Sequence, residues 1–297
     1  MDRILTHLNR LPGTVLVLIA ATIWSVTALL TKTVQVNAVL LPSLRGLIAG
    51  VILIPFFHPG KLERRPQLWT LGAVAPLMML LAVFAYRYTA AANAAALYFS
   101  APLWIFLFGA VKRRRADTRV LPSILILAVG ILTILSEPSA GSNQLGNLIA
   151  LTTGVLNAVV CLCLGATRMD QRINYVAFFC WTCFLLISAF ALVTQPQVFL
   201  EIPGYDLRTW GMLLLMALTQ MVLPYFFFCA ALQKISVQRA SILNLLEFIL
   251  SPVWTLIFLG EIPTVYGAVG WGLILAGLLL NEILSKRSGA GGGQAGC

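Results

Sequence analysis

The stretch YTAAANAAALYFSAPLWIFLFG at residues 88–109 has a counterpart, QRASILNLLEFILSPVWTLIFLG, at residues 238–260. An offset of 150 residues places Pro102 on Pro252 and aligns a Trp that follows each Pro. Both stretches are mostly apolar, and both carry a Pro that interrupts the hydrogen bonding of a helix. A recurrence of this length indicates that the chain contains two related halves.

A looser match supports the same division. At an offset of 133 residues, GTVLVLIAATIW (13–24) aligns with GNLIALTTGVLN (146–157). We therefore predict one repeat over 1–138 and a second over 139–286. The remaining residues, 287–297, form a Gly-rich tail of a composition typical of flexible linkers, and we leave it out of the predicted fold.

The composition places the chain in a lipid bilayer. Hydrophobic residues make up 60% of the 297 residues, charged residues only 10%, and the mean hydropathy is +0.92. Soluble proteins carry about 25% charged residues. A membrane-crossing helix needs about 20 apolar residues. Ten apolar runs come close to this length, at 12–31, 38–57, 67–86, 89–111, 119–136, 145–165, 174–194, 208–231, 239–259 and 264–284.

The basic residues predict the orientation of these runs. Of the 20 Lys and Arg residues, 16 fall in loops on the side of the N-terminus, and only Lys32, Arg87 and Arg208 fall on the other side, with Arg45 inside a helix. Because cytoplasmic loops are enriched in Lys and Arg, both termini are predicted to be cytoplasmic. Five helices are an odd number, so the second half enters the membrane from the opposite side. We expect an all-α integral membrane protein with ten transmembrane helices in two inverted five-helix repeats.

Inverted repeats are typical of secondary transporters, which alternate access to a site near the bilayer midplane between the two repeats. The sequence contains no ATP-binding loop, so a gradient would drive transport. Proton coupling and simple uniport both stay open. The net charge of +10 indicates basic loops rather than nucleic-acid binding, because no run interleaves basic and aromatic residues.

The sequence offers little for an intramembrane enzyme. The only His residues, His7 and His58, lie in predicted cytoplasmic loops, and there is no paired intramembrane carboxylate or metal-binding motif. The cysteines in CLC (161–163) and CWTC (180–183) read as small apolar side chains, because no His or Asp lies near them. We expect no catalytic residue, no metal and no cofactor. A channel or scaffold subunit is the alternative from another functional class.

The sequence resembles the drug/metabolite transporter superfamily, EamA type. The resemblance covers nearly the whole chain and is carried by ATIWSVTALLTK (21–32), RGLIAG (45–50), TAAANAAALYFSAP (89–102) and FLGEIPTVYGAVGWGLILAGLLL (258–280). It implies a ten-helix exporter of amino acids or other metabolites. The first repeat departs from the family pattern, because it ends in FGAVKRRR (108–115) where a Gly-Glu pair is common. Any role of that Glu therefore passes only to Glu261.

A polar stripe in the ninth predicted helix marks a candidate substrate pathway. Asn244, Glu247, Ser251 and Trp254 fall within a wedge of roughly 80° at 100° per residue. A carboxylate at the centre of a membrane helix costs about 2.5–3.5 kcal/mol on insertion scales, so it is expected to face the bundle. Glu247 either binds a substrate ammonium or carries a proton, or it is hydrogen-bonded between helices as a structural group.

The pathway is predicted to include polar and aromatic residues from other helices. The fourth helix repeats the stripe with Asn93 and Trp104, but it has a Leu where Glu247 would stand. The first and sixth helices place Trp24 and Asn157 at equivalent positions, and the eighth contributes Gln220, four residues before Pro224. The amides could equally join helices to one another, at about 1 kcal/mol each.

Pro102, Pro252 and Arg45 are expected to act in gating or as hinges. The two Pro residues would kink equivalent helices on either side of the pseudo-twofold axis. Arg45 lies near the outer end of the second helix, and its long stem could carry the guanidinium to the interface. Glu261 precedes Pro263 and is expected to cap the tenth helix.

We expect export of amino acids with apolar or aromatic side chains from the bacterial inner membrane. The predicted partners are the small-molecule substrate and the lipid bilayer, with the chain a monomer or weak homodimer. Nucleotide sugars and lipophilic cations or drugs are the alternative substrates. A phosphorylated substrate would need basic residues at the midplane, where the sequence offers only Arg45 off-centre.

Overall fold

The structure is a computed structural model, and it describes residues 11–62, 66–113, 118–137, 144–165, 171–235 and 237–287. Every regular element in these ranges is helical. The longer helices are α1 (Gly13–Ser25), α2 (Thr27–Thr33), α3 (Leu40–Ile52), α4 (Pro66–Tyr88), α5 (Ala91–Tyr98), α6 (Ala101–Arg113), α7 (Leu121–Leu135), α8 (Gln144–Gly165), α9 (Arg172–Thr194), α10 (Leu207–Ala217), α11 (Leu223–Ala231), α12 (Val237–Leu259) and α13 (Val265–Arg287). Of the predicted tail, Arg287 is the last residue of α13, and 288–297 lie outside the described residues.

Helices occupy all ten predicted positions, but not all of them reach the length of a membrane span. Within the described ranges, seven helical stretches are long and apolar enough to cross a membrane. An eighth is added if α3 and the short helical turns up to Lys61 form one span, which is bent by 62°. The helix α7 and the Leu243–Leu259 part of α12 are apolar but shorter. The total of ten spans and the side of each terminus stay predictions.

Proline explains two of the three breaks inside these apolar stretches. A Pro lacks the N–H that would bond the carbonyl four residues earlier. Pro102 follows the break between α5 and α6, and Pro224 follows a π-helical turn, Leu218–Val222, between α10 and α11. The third break, at Val26, has no Pro beside it. Pro252, the counterpart of Pro102 in the repeat, lies inside the unbroken α12.

Each half of the chain packs mainly against the other half. The extensive contacts join α7 to α13, α4 to α8, α3 to α9, and α1 to both α11 and α12, while α5 also packs on α8. The buried core is built from Leu, Val, Ala and Met side chains, whereas many large apolar side chains point outward, such as Val193 at 83% exposed and Phe258 at 64%. An apolar exterior of this kind fits a lipid environment.

The contact between α7 and α13 brings two glycines together. A Cβ on Gly270 of α13 would lie 2.8 Å from the backbone oxygen of Gly130 in α7, and 2.5 Å from a side-chain carbon of Ile134. Small residues allow two helix backbones to approach in this way. Another row of small residues on α13, Ala268, Gly272 and Ala276, does not make this contact, because Ala268 and Ala276 are exposed.

Candidate functional site

Glu247 lies on α12 with its carboxyl directed into the bundle. Its charge acts on the phenol groups of Tyr86 in α4 and Tyr98 in α5. Asn244, one helical turn earlier, donates a hydrogen bond from Nδ2 to Glu247 Oε2 at 3.3 Å. The amide oxygen of Asn244 is buried and has no hydrogen-bond partner among the described residues. This part of the site therefore presents acceptors: a carboxylate and an amide oxygen.

Arg45 on α3 is the second charged group inside the bundle. Its side chain is only 3% exposed, so it does not extend to the membrane interface as the sequence suggested. The guanidinium instead donates from Nη1 to Gln220 Oε1, and its Nη2 lies 3.3 Å from Met79 Sδ. Arg45 and Gln220 come from different halves of the chain, so this hydrogen bond joins the two repeats predicted from the sequence.

The irregular backbone between α10 and α11 explains the position of Gln220. Gln220 lies within the π-helical turn, a feature frequent at functional sites. Pro224 cannot donate to the Gln220 carbonyl as an ordinary fourth residue would. Trp24 of α1 supplies a donor instead, since its Nε1 lies 3.1 Å from the Gln220 carbonyl oxygen. The Trp24 ring also meets Tyr225 edge-on, with 5.1 Å between ring centroids.

Three tyrosines connect the Arg45 and Glu247 groups, and the sequence reasoning missed all three. The charges of Arg45 and Glu247 both act on Tyr86. Tyr225 is within electrostatic range of both Arg45 and Tyr98. The available signal was a Tyr inside an apolar run, since a buried Tyr hydroxyl normally needs a polar partner.

We use the name central cluster for the residues around the two charged groups. They are Arg45, Gln220, Asn244, Glu247, Tyr86, Tyr98, Tyr225 and Trp24.

Three further predicted pathway residues, Trp254, Asn157 and Ser251, come from the second half of the chain. Trp254 donates from Nε1 to Ser25 Oγ at 2.8 Å, one residue from Trp24 in α1. Asn157 accepts a weak hydrogen bond from Cys161 Sγ at 3.7 Å, and Cys161 acts electrostatically on Tyr98. Ser251 is buried in α12.

Two residues of the predicted stripe in the first half make contacts of their own. Trp104 donates to Ser100 Oγ within its own stretch, at 3.1 Å. Asn93 donates from Nδ2 to Glu137 Oε2 at 2.9 Å, and both side chains are buried. The sequence reasoning did not single out Glu137, because it stands at the end of a helix and looks like a loop residue. Asn93 therefore bonds a carboxylate other than Glu247.

A second polar cluster joins helix ends at the end of the bundle that holds Lys32. Lys32 at the end of α2 forms an ion pair with Glu261 and donates to the Thr89 carbonyl at 3.1 Å. Glu261 Oε2 accepts from the backbone N–H of Ala91 at 3.1 Å, so it caps α5 rather than α13. The cap of α13 is Thr264, whose hydroxyl accepts from Gly267 N at 3.0 Å. Glu261 therefore caps a helix, as predicted from the sequence, but the helix is α5 and not the tenth predicted helix.

The backbone at the end of α12 places Glu261 in this position. Gly260 has a φ of +67°, a left-handed conformation that favours Gly and ends the helix. The N–H of Glu261 bonds back to the Thr255 carbonyl at 3.3 Å, which turns the chain toward α2 and α5. A small cleft of about 10 Å³ lies here, with Glu261 and Pro252 among its lining residues.

The model of the EamA-like transporter family matches the chain twice, over residues 11–136 and 144–282. The chain belongs to the EamA-like transporter family. The resemblance read from the sequence motifs is thereby confirmed, and the protein is a multi-pass membrane transporter of the drug/metabolite type. Members of this family are transporters rather than enzymes.

Comparison with solved structures supports the fold of this EamA-like transporter. A structure described only as "Crystal structure of protein" matches with a TM-score of 0.61 and 18% sequence identity, covering 93% of this chain and 98% of that chain. At this identity the likeness concerns the fold alone. None of the curated proteins compared with the chain matches it significantly.

Proposed function

We propose that this EamA-like transporter exports amino acids with apolar or aromatic side chains across the bacterial inner membrane. The observation that carries the proposal is the acceptor pair of Glu247 and Asn244, directed into the bundle beside Tyr86 and Tyr98. An ammonium group requires acceptors and a negative charge. The rings of Tyr86, Tyr98, Trp24 and Tyr225 offer apolar faces for a side chain and attract a cation.

Alternating access between two inverted repeats is the proposed mechanism. The helix pairings support it. When each of the ten predicted spans is exchanged with the span five places away in the chain, the observed helix contacts turn into one another. The α4–α8 contact corresponds to α11–α1, and α5–α8 corresponds to α12–α1. The α3–α9 and α7–α13 contacts correspond to themselves. A pseudo-twofold arrangement of this kind can rock about a central site.

The two polar clusters then have separate tasks. The central cluster binds the substrate, while Lys32 and Glu261 hold one end of the bundle closed. In this conformation the substrate reaches the site from the opposite end, which the basic loops predict to be cytoplasmic. Export requires the Lys32–Glu261 ion pair to break and the central cluster to open toward the Lys32 end.

Counterflow in proteoliposomes tests the proposal. Vesicles loaded with unlabelled L-phenylalanine or L-leucine should accumulate the same labelled amino acid, with and without a pH gradient. Glu247→Gln, which keeps the size of the side chain and removes its charge, should reduce this uptake at least about tenfold, a loss of about 1.4 kcal/mol. Glu201→Gln is the matched control, since Glu201 contacts Asn37 and Tyr205 away from the central cluster.

Other outcomes separate the alternatives. Uptake of tetraphenylphosphonium without amino-acid uptake would replace the proposal with export of lipophilic cations. Uptake of a nucleotide sugar alone would replace it with a carrier of that class. Amino-acid counterflow that Glu247→Gln leaves unchanged would remove Glu247 from the mechanism.

A further inference from the structure

We propose that Arg45 and Gln220 form the carboxylate-binding end of the substrate site, opposite the ammonium-binding end at Glu247. The inference rests on the proposed function and makes it more specific. It assigns Arg45 a direct contact with substrate, where the sequence pointed to gating or structure. It also defines the substrate class as zwitterions that carry a free α-carboxylate.

Unused hydrogen-bond donors are the first observation. Arg45 is 3% exposed and Gln220 is 6% exposed. Within the described residues, the buried Arg45 Nε and Gln220 Nε2 have no hydrogen-bond partner. The Arg45–Gln220 hydrogen bond holds the two side chains together, so both donors belong to one place in the fold. Buried donors are nearly always satisfied in folded proteins, and a ligand is one way to satisfy them.

The unbalanced charge of Arg45 is the second observation. Among the described residues, Lys32 forms an ion pair with Glu261, whereas Arg45 has no carboxylate within ion-pair distance. The charged or polar groups that act on the guanidinium are Cys180, Cys183, Tyr86 and Tyr225, which are neutral at pH 7 in ordinary conditions. A buried cation normally has a partner anion. Two oxygens of a carboxylate match the planar donors of a guanidinium.

The distribution of unused polar atoms is the third observation. On the Glu247 side the unused atom is an acceptor, Asn244 Oδ1, and on the Arg45 side the unused atoms are donors. Tyr86 lies within electrostatic range of both charges. An α-amino acid has the complementary arrangement, with an ammonium that donates and a carboxylate that accepts. An amine or ester of the same side chain would satisfy only the Glu247 end.

Equilibrium binding to the full chain in lipid nanodiscs tests this assignment with three probes: L-phenylalanine, its methyl ester and phenethylamine. The wild type should bind L-phenylalanine at least about tenfold more tightly than either analogue, the range expected for one hydrogen bond to a charged group. Gln220→Leu removes one unused donor together with the amide oxygen that accepts from Arg45, while the backbone carbonyl that Trp24 contacts remains. It should weaken L-phenylalanine binding about 10- to 100-fold and leave ester binding within about twofold.

Two further variants keep the result interpretable. Arg45→Lys retains the charge but loses the planar donors, so it should also weaken L-phenylalanine selectively. Met79→Leu, which changes only the sulfur contact of Arg45, is the control and should bind all three probes as the wild type does. Equal losses for L-phenylalanine and its ester in the Arg45 and Gln220 variants would overturn the inference and leave the proposed function intact. Absence of L-phenylalanine binding and counterflow in the wild type would overturn both.

Discussion

The Lys32–Glu261 ion pair should contribute measurably to stability, because it joins three parts of the chain. Lys32 belongs to α2, and Glu261 lies between α12 and α13 and caps α5. Their side chains are 14% and 30% exposed, respectively. Exposed ion pairs contribute about 0.2–1 kcal/mol, whereas removing one partner of a fully buried pair costs about 3–5 kcal/mol. Partial exposure places this pair between the two cases.

A double-mutant cycle measures the pair directly. We expect Glu261→Gln to lower the free energy of unfolding by about 1–2 kcal/mol, since the pair is lost while the amide still accepts from Ala91 N–H. Lys32→Met removes the other partner, and the double variant gives a coupling energy of about 1 kcal/mol. Unfolding by SDS in mixed micelles, followed by tryptophan fluorescence, is the assay.

A second cycle serves as the control, and ionic strength provides an independent check. Lys32→Met combined with Glu201→Gln should be additive, because these two side chains form no ion pair in the described structure. Raising the salt concentration to about 1 M should reduce the Lys32–Glu261 coupling, since screening weakens partly exposed pairs. A coupling energy within about 0.3 kcal/mol of zero at low salt would refute the reasoning, because this is the scatter expected for independent sites.

The remaining predictions concern packing, the π-helical turn and a helix cap. Gly270→Ala should destabilise the fold by about 1–3 kcal/mol, because the added methyl meets α7, while Gly272→Ala, with open space around it, should not; thermal unfolding in detergent compares them. Trp24→Phe should cost about 0.5–1.5 kcal/mol by leaving the carbonyl at the π-helical turn without its indole donor, measured by SDS unfolding. Hydrogen bonds from Thr209 hold the pKa of Asp206 below its usual value. The stabilisation from this cap is therefore present above the unfolded-state pKa and lost as the pH falls through the folded-state pKa. Asp206→Asn should lower the melting temperature at pH 7 and change it little near pH 2; the same shift at both pH values would contradict this account.

The periodicity of the sequence predicted the helices and the orientation of Glu247. A carboxylate is too costly in lipid to face outward, so its helical face could be predicted without coordinates. The stripe that carries Glu247 places Asn244 one helical turn away, and the structure joins the two by a hydrogen bond. These predictions depend on local spacing along one helix.

The parts of the site that the sequence did not predict depend on contacts between distant helices. The long stem of Arg45 is compatible with both burial and extension to the interface, and only the position of Gln220 decides between them. The same is true of Glu261, which reaches α5 because Gly260 turns the backbone. Glu137 was missed for a similar reason, since its buried partner Asn93 lies 44 residues away.

The central claim is that substrate occupies a water-accessible site between the two halves, and protection of Cys161 tests it most directly. This native residue acts electrostatically on Tyr98 and contacts Asn157, so its label would lie beside the central cluster. A variant that retains only Cys161, with the other cysteines replaced by Ala, should react with a membrane-impermeant methanethiosulfonate, and saturating L-phenylalanine should slow the reaction. Leu256→Cys in a cysteine-free background is the control and should not react. Leu256 lies 44% exposed on the apolar exterior, where a thiol facing lipid stays in its unreactive protonated form. Failure of Cys161 to react from either side of the membrane, or a rate that L-phenylalanine leaves unchanged, would contradict the account.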